Sequence, residues 1–248
     1  MKIAIVTGAS SGLGREFALQ LPNSYELDEI WLIARRKDQL EETAAHLEDQ
    51  KGIVMPMSLT SREDLDRLKK KIEQCSANVK VLVNNAGYSI IGNFADLPLD
   101  RQLDMIDLNI KTLVELTYTC IPYMEPGSVI YQVASVAGFL PGPSAAVYSG
   151  TKAFVLSYSH SLYQELKPRD IHVITVSPGP VDTEFWKVAS GKDNYLPPNA
   201  VRAHDVVSLS IKDAKEMKLN STYGFISKLN ILLPRVFRRK TLLKLSSS

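Results

Sequence analysis

Short apolar runs alternate along this chain with longer stretches in which apolar residues recur every three or four positions. "KIAIVTG" gives way to "LGREFALQL", "EIWLIAR" to "KDQLEETAAHLED", and "GIVMPMSL" to "SREDLDRLKKKIEQC". The series continues through "VKVLVNNAG", a long helical pattern from Asp100 to Met124, "GSVIYQVAS", a second long helical pattern from Val147 to Lys167, and "IHVITVSPG". Near-continuous apolar strands separated by helices predict a parallel sheet covered on both faces. With right-handed crossovers, that is a doubly wound α/β sheet of the Rossmann kind. No break in composition, Ser/Gly linker or repeat divides residues 1–225, which read as one domain followed by a tail, residues 226–248. Residues from Pro180 to about Ala203 lack periodicity and carry the breakers of "NYLPPNA", predicting a mobile loop beyond the carboxyl edge of the sheet.

Composition narrows the picture without changing it. Of 248 residues, 45% are hydrophobic and 23% charged, enough for a soluble globular domain with its own core. A formal charge of +2, from 29 basic and 27 acidic residues, argues against nucleic acid as a partner. Cys75 and Cys120 lie far apart with no CxxC pair, and His46, His160, His172 and His204 are scattered, so reduced thiols and no metal site are expected. The apolar run in "MKIAIVTGAS" is too short for a secretory signal, and no run approaches the roughly 18 residues of a membrane span. These features predict a cytoplasmic protein.

Candidate chemistry begins at the first turn. The first strand runs into "TGASSGLG", where Gly8, Gly12 and Gly14 precede a helix. Glycines there allow a tight turn and a close approach of backbone to a pyrophosphate, which the free N–H groups of the helix N-terminus attract. An acidic residue about 20 positions further on would hold a ribose 2′-hydroxyl, whereas arginine accommodates a 2′-phosphate. Arg35 and Arg36 stand at that place in "IARRKDQL", and the first acid, Asp38, comes later. The spacing therefore predicts NADP(H) rather than NAD(H).

From Ile3 to about Thr183 the chain resembles the short-chain dehydrogenase/reductase family. The resemblance rests on "TGASSGLG", "NNAG" at Asn84 to Gly87, Asn109 in "DLNIKT", Ser135 in "VASVAG", "YSGTK" from Tyr148 to Lys152, and "SPGPVDT" at Ser177 to Thr183, all in the family's order. It implies an oxidoreductase that interconverts a ketone or aldehyde and an alcohol by hydride transfer. Tyr148 would be the general acid/base, Ser135 would orient the substrate oxygen, Asn109 would hold a water relaying protons to Lys152, and Lys152 would bond the nicotinamide ribose. The implied cofactor site comprises Gly8, Ser10, Ser11, Gly12, Leu13 and Gly14 in the first turn, Arg35 and Arg36, Ser58 and Leu59 after the third strand, and Asn85, Ala86 and Gly87 beneath the cofactor. Tyr148 and Lys152 complete it together with Pro178, Gly179, Val181 and Thr183 around the nicotinamide. One departure is visible: Ser58, in "MPMSLTS", stands where the family commonly has an aspartate that contacts adenine.

Tyrosine and lysine four residues apart share one helix face. A phenol with a reference pKa of about 10 is a poor acid or base at pH 7. A cation about 4 Å away supplies on the order of 4 kcal/mol at an effective dielectric near 20, enough to bring the phenol toward neutrality. Lys152 is expected to be that cation.

The apolar residues Tyr88, Ile90, Ile91, Phe139, Leu140, Phe185 and Trp186 suggest a pocket for a small, hydrophobic or aromatic carbonyl substrate. A non-catalytic NADP-binding redox sensor is the rival reading, and an isomerase or dehydratase a third, but Ser135, Tyr148 and Lys152 are all present. The resemblance also suggests a homodimer or homotetramer paired through the two long helical patterns. The last stretch, "SKLNILLPRVFRRKTLLKLSSS", mixes apolar residues with six basic and no acidic ones. It is expected to dock on the body as a cap near the substrate loop, with contact to an anionic membrane as the alternative.

Overall fold

A computed structural model describes residues 1–47, 51–140, 142–237 and 242. Six strands follow the sequence pattern: β1 (Lys2–Thr7), β2 (Glu29–Ala34), β3 (Lys51–Pro56), β4 (Asn78–Asn84), β5 (Val129–Val133) and β6 (His172–Val176). Three two-residue strands come later, β7 (Val181–Asp182), β8 (Val201–Arg202) and β9 (Asn220–Ser221). The main sheet runs β3-β2-β1-β4-β5-β6-β9, every neighbouring pair parallel, while β7 and β8 pair separately. β9 is too short and polar to show as an apolar run.

Alternation along β1 explains why both faces must be covered. Ala4 and Val6 pack on one side with Phe17 and Leu21 around α1 (Gly12–Gln20), Leu40 of α2 (Lys37–Ala45), and Val207 and Ile211 of α8 (Ala203–Lys215). Ile3 and Ile5 face the other side, against Leu68 and Ile72 of α3 (Arg62–Cys75), Leu116 of α5 (Leu113–Cys120), and Leu162 and Leu166 of α6 (Ala146–Leu166). Chain order reverses where β4 lies beside β1, and a crevice opens outside the carboxyl ends of the strands at such a switch point. Gly8 and Asn85 both emerge there.

The pattern from Asp100 to Met124 proves segmented: α4 (Leu99–Ile106) passes into a π-helical stretch, Asp107–Thr112, and then into α5. The stretch after Pro180 is more ordered than expected. It holds β7, α7 (Phe185–Ser190) and β8, tied down by Trp186 Nε1 donating to the Val181 carbonyl at 2.9 Å and Ile91 N donating to the Ala189 carbonyl at 2.8 Å. A helix of six residues is too short for its period to register in the sequence. The final helix, α9, spans Phe225–Val236 with Pro234 in its last turn. Of the tail, Leu242 is buried, and residues 238–241 and 243–248 lie outside the described residues. Among the described residues, no helix is long and apolar enough to cross a membrane.

Candidate active site

The first turn leaves β1 with Gly8 at φ +69° and re-enters helix at Gly12 with φ +53°, a region that L side chains rarely adopt. Space is as restrictive as angle. A Cβ on Gly14 would lie 2.2 Å from the Gly8 carbonyl oxygen, and one on Gly12 would lie 2.9 Å from the Thr183 methyl. Thr7 holds the opposite wall. Its hydroxyl donates to the Val83 carbonyl at 3.0 Å and accepts from Asn85 N at 2.9 Å and Ala86 N at 3.0 Å, while Asn85 Nδ2 donates to the Thr7 carbonyl at 2.9 Å. The β1 and β4 exits are thus joined through one threonine, and the glycine cradle stays open toward the cleft.

Tyr148 and Lys152 stand in the first turns of α6. The Lys152 ammonium is buried and donates to the Val133 carbonyl at 2.7 Å; it lies 5.8 Å from the centre of the Tyr148 ring. Burial drives both groups toward neutrality: it pushes the Tyr148 phenol up to about 12, with the Ser135 hydroxyl pulling the other way, and draws Lys152 down to about 8. The phenol therefore moves opposite to the sequence-based expectation, because loss of water outweighs a cation that is turned toward a carbonyl. Ser135, two residues past β5, is also buried, and its hydroxyl accepts from Ala137 N at 3.2 Å.

Asn109 sits in the π-helical stretch, a distortion often found at functional positions. Its side-chain oxygen accepts from Tyr88 N at 3.1 Å, and its amide donates to the Tyr88 carbonyl at 3.0 Å and to Thr151 Oγ1 at 3.2 Å. Both donors are spent on protein. Asn109 is a strut between the loop after "NNAG" and α6, and a water could use it only by donating to its oxygen.

At the outer end, Arg36 donates to Ser10 Oγ at 3.3 Å and Ser11 Oγ at 3.1 Å and pairs with Glu184 at 2.8 Å. Ser58 N donates to Asp64 Oδ2 at 2.7 Å, so a carboxylate stands behind Ser58 although the residue itself has none. A cleft of about 830 Å³ joins these parts. It is lined by the first turn, Arg35, Arg36, Ser58, Leu59, Asn85, Ala86, Gly87, Ser135, Tyr148, Lys152, Pro178, Gly179, Val181 and Thr183. Gly14 lies behind the turn and Asn109 behind Gly87, both outside the lining. The inner wall carries Tyr88, Ile91, Leu140, Phe185 and Trp186, with the Phe185 ring centre 5.8 Å from that of Tyr148. Ile90 instead borders a separate small cavity, and Phe139 packs against Val155 and Leu156.

Residues 2–194 match the family model described as short chain dehydrogenase. The chain belongs to the short-chain dehydrogenase family. It is therefore an oxidoreductase of that family, whose members use a nicotinamide dinucleotide and act on small molecules. An uncharacterized oxidoreductase of Staphylococcus aureus (strain N315) is 34% identical over 194 residues, covering 77% of this chain and 83% of that one. A short-chain dehydrogenase from Sphingobium yanoikuyae in complex with NADPH superposes with a TM-score of 0.82 at 28% identity, covering 98% of this chain and 95% of the other. A Burkholderia phymatum member in complex with NAD, at 21% identity and a TM-score of 0.81 over 97% and 94% of the two chains, shares the fold.

As a short-chain dehydrogenase, the chain offers a dinucleotide a cradle that fits: side chains at Gly8, Gly12 and Gly14 would run into Asn85, Thr183 and the Gly8 carbonyl, so the turn holds this shape only with glycine at all three places. Sequence reasoning missed Thr7, Asp64, Glu184 and Asn230, the last a lining residue from α9. Thr7 sits beside a motif and could have been flagged. Asp64 lies only six residues past Ser58, in the first turn of α3, whereas Glu184 and Asn230 reach the site through contacts between distant segments.

Proposed function

We propose that this short-chain dehydrogenase is an NADP(H)-dependent oxidoreductase interconverting a hydrophobic ketone or aldehyde and its alcohol, with Tyr148 as general acid/base. The observation that carries the reading is the meeting of the Tyr148 phenol, the Ser135 hydroxyl and the Lys152 ammonium at the inner end of a glycine-cradled cleft. The bound nicotinamide supplies hydride chemistry. In the reducing direction Tyr148, neutral at pH 7, gives its proton to the substrate oxygen, and Ser135 fixes where that oxygen sits. Lys152 holds positive charge under the forming phenolate and offers its remaining N–H groups to the ribose. Asn109 keeps the Tyr88 backbone and α6 in register.

Arg35 and Arg36 favour the 2′-phosphate of NADP(H) through charge-assisted bonds. The apolar inner wall, with Ile91, Leu140, Phe185 and Trp186, favours an apolar or aromatic group beside the carbonyl. Two free cysteines suit a reducing compartment and support a cytoplasmic setting. Leu99 and Leu103 of α4, Tyr118 of α5 and Phe154 of α6 are all exposed large apolar residues, which supports pairing of these helices in a homodimer or homotetramer. The retained Ser135, Tyr148 and Lys152 favour turnover over a redox-sensor role.

NADPH consumption across a panel of carbonyl compounds tests the reading. Tyr148→Phe is expected to lower turnover of the best substrate by about 10² to 10⁴-fold and to leave NADPH affinity nearly unchanged. Most of the activity surviving in that variant would refute the mechanism.

A further inference from the structure

Helix α9 is amphipathic the wrong way round. Ser227 is buried, its hydroxyl lying where a Cβ on Gly179 would come within 2.3 Å, and Asn230 lines the cleft, so this side of the helix rests on the body. Phe225, Leu229, Leu232 and Val236 recur at intervals of four, three and four residues and form one narrow stripe along the helix. They point to solvent, at 81%, 44%, 50% and 76% exposed, and Ile226 and Phe237 are exposed beside them. An outward apolar stripe of this length is covered by something in the working protein.

Charge identifies the occupant. Of the 29 basic residues, Lys228, Arg235, Arg238, Arg239, Lys240 and Lys244 fall in the last 22 positions, and none of the 27 acidic ones does, so the rest of the chain is net acidic. Lys228 is exposed on the same helix. A second copy seated on this stripe about a two-fold axis would bring two such basic segments together, which like-charge repulsion opposes. An anionic lipid surface satisfies both features at once: apolar side chains enter the acyl boundary while lysines and arginines meet the headgroups.

We propose that α9 seats this protein peripherally on an anionic membrane surface, with the stripe of Phe225, Leu229, Leu232 and Val236 inserted. The opposite side of the same helix forms part of the cleft wall, so membrane seating places the cleft one helix away from the lipid. The proposal rests on the fold and the charge pattern, independently of the reaction assigned above.

The full chain should be sedimented with vesicles of phosphatidylcholine and phosphatidylglycerol in equal parts, and with vesicles of phosphatidylcholine alone. Binding is expected to the mixed vesicles, to be much weaker to the neutral ones, and to fall with added salt. The double variant Phe225→Ser/Leu232→Ser changes only exposed positions, so its melting temperature should be kept, and its partitioning should fall by about tenfold or more. No binding to the mixed vesicles, or unchanged binding of the folded double variant, overturns the proposal. Concentration-dependent self-association that the double variant abolishes, without vesicle binding, overturns it in favour of a second copy.

Discussion

Lys152 is a cation held where cations are costly. Its ammonium is buried, has one carbonyl partner at 2.7 Å, and is drawn down to about 8 from an ordinary value of 10.5. That displacement corresponds to a penalty of about 3 kcal/mol at pH 7. Lys152→Met keeps the aliphatic stem and removes the penalty, and it leaves the Val133 carbonyl without a donor at a cost of about 1 to 2 kcal/mol. A net gain of about 1 kcal/mol is expected, raising Tm by about 2 to 4 °C while turnover collapses. The pH dependence follows from linkage. Between about 8 and 10.5 the unfolded chain binds this proton and the folded chain does not, so stability of the unaltered protein rises with pH through that window relative to the variant. Melting curves of both proteins from pH 7 to pH 10 should show the gap closing; a variant that is less stable at pH 7 would mean that the lysine contributes more than it costs. Tyr148 is displaced upward to about 12, so it stays a proton donor across the same range.

At the scale of elements, α7 couples the two ends of the cleft. Glu184, immediately before it, pairs with Arg36 at 2.8 Å, and Phe185, its first residue, packs against the Tyr148 ring. Any phosphate that Arg36 accepts must share the guanidinium with this carboxylate. Glu184→Gln is therefore expected to tighten NADPH by up to about fivefold, the range of an exposed ion pair, and to leave NADH unchanged. Arg36→Ala should instead reduce the preference for NADPH. Titration calorimetry with both dinucleotides at low and high salt reads the difference, which should shrink as salt rises. Identical NADPH affinity in Glu184→Gln and the unaltered protein would show that the carboxylate and the phosphate do not compete.

For the whole molecule, the exposed face of α4, α5 and α6 predicts assembly. Tyr118 is 80% exposed, and the Phe154 and Tyr158 rings stack beside each other at 5.7 Å between centres. Light scattering at micromolar concentration is expected to show a species at least twice the 27.5 kDa chain. Tyr118→Glu, which places charge on that face, should shift it toward the monomer without loss of fold. A monomer in the unaltered protein would overturn the pairing. The stripe on α9 is distinguished from this face by its own variant, Phe225→Ser/Leu232→Ser, which should leave the mass unchanged.

Residue order alone determined the alternation of apolar strands and periodic helices, because a strand buried on both sides and a helix buried on one each leave a local pattern that no distant contact alters. The glycines of the first turn and the Tyr148–Lys152 spacing were legible for the same reason: each is a constraint within one or two turns of chain. Tertiary structure decided what those local pieces meet. Thr7 joins the β1 and β4 exits, and Glu184 pairs with Arg36, each across a separation in sequence that carries no periodic signal. It also set the sign of the Tyr148 displacement, since desolvation depends on everything packed around the phenol, whereas helix spacing places only its lysine neighbour. The tail shows the same division: its apolar and basic content is plain in the sequence, but which side of α9 faces the body depends on where Ser227 and Asn230 find their contacts, and that docking turns Phe225 and its stripe to the outside.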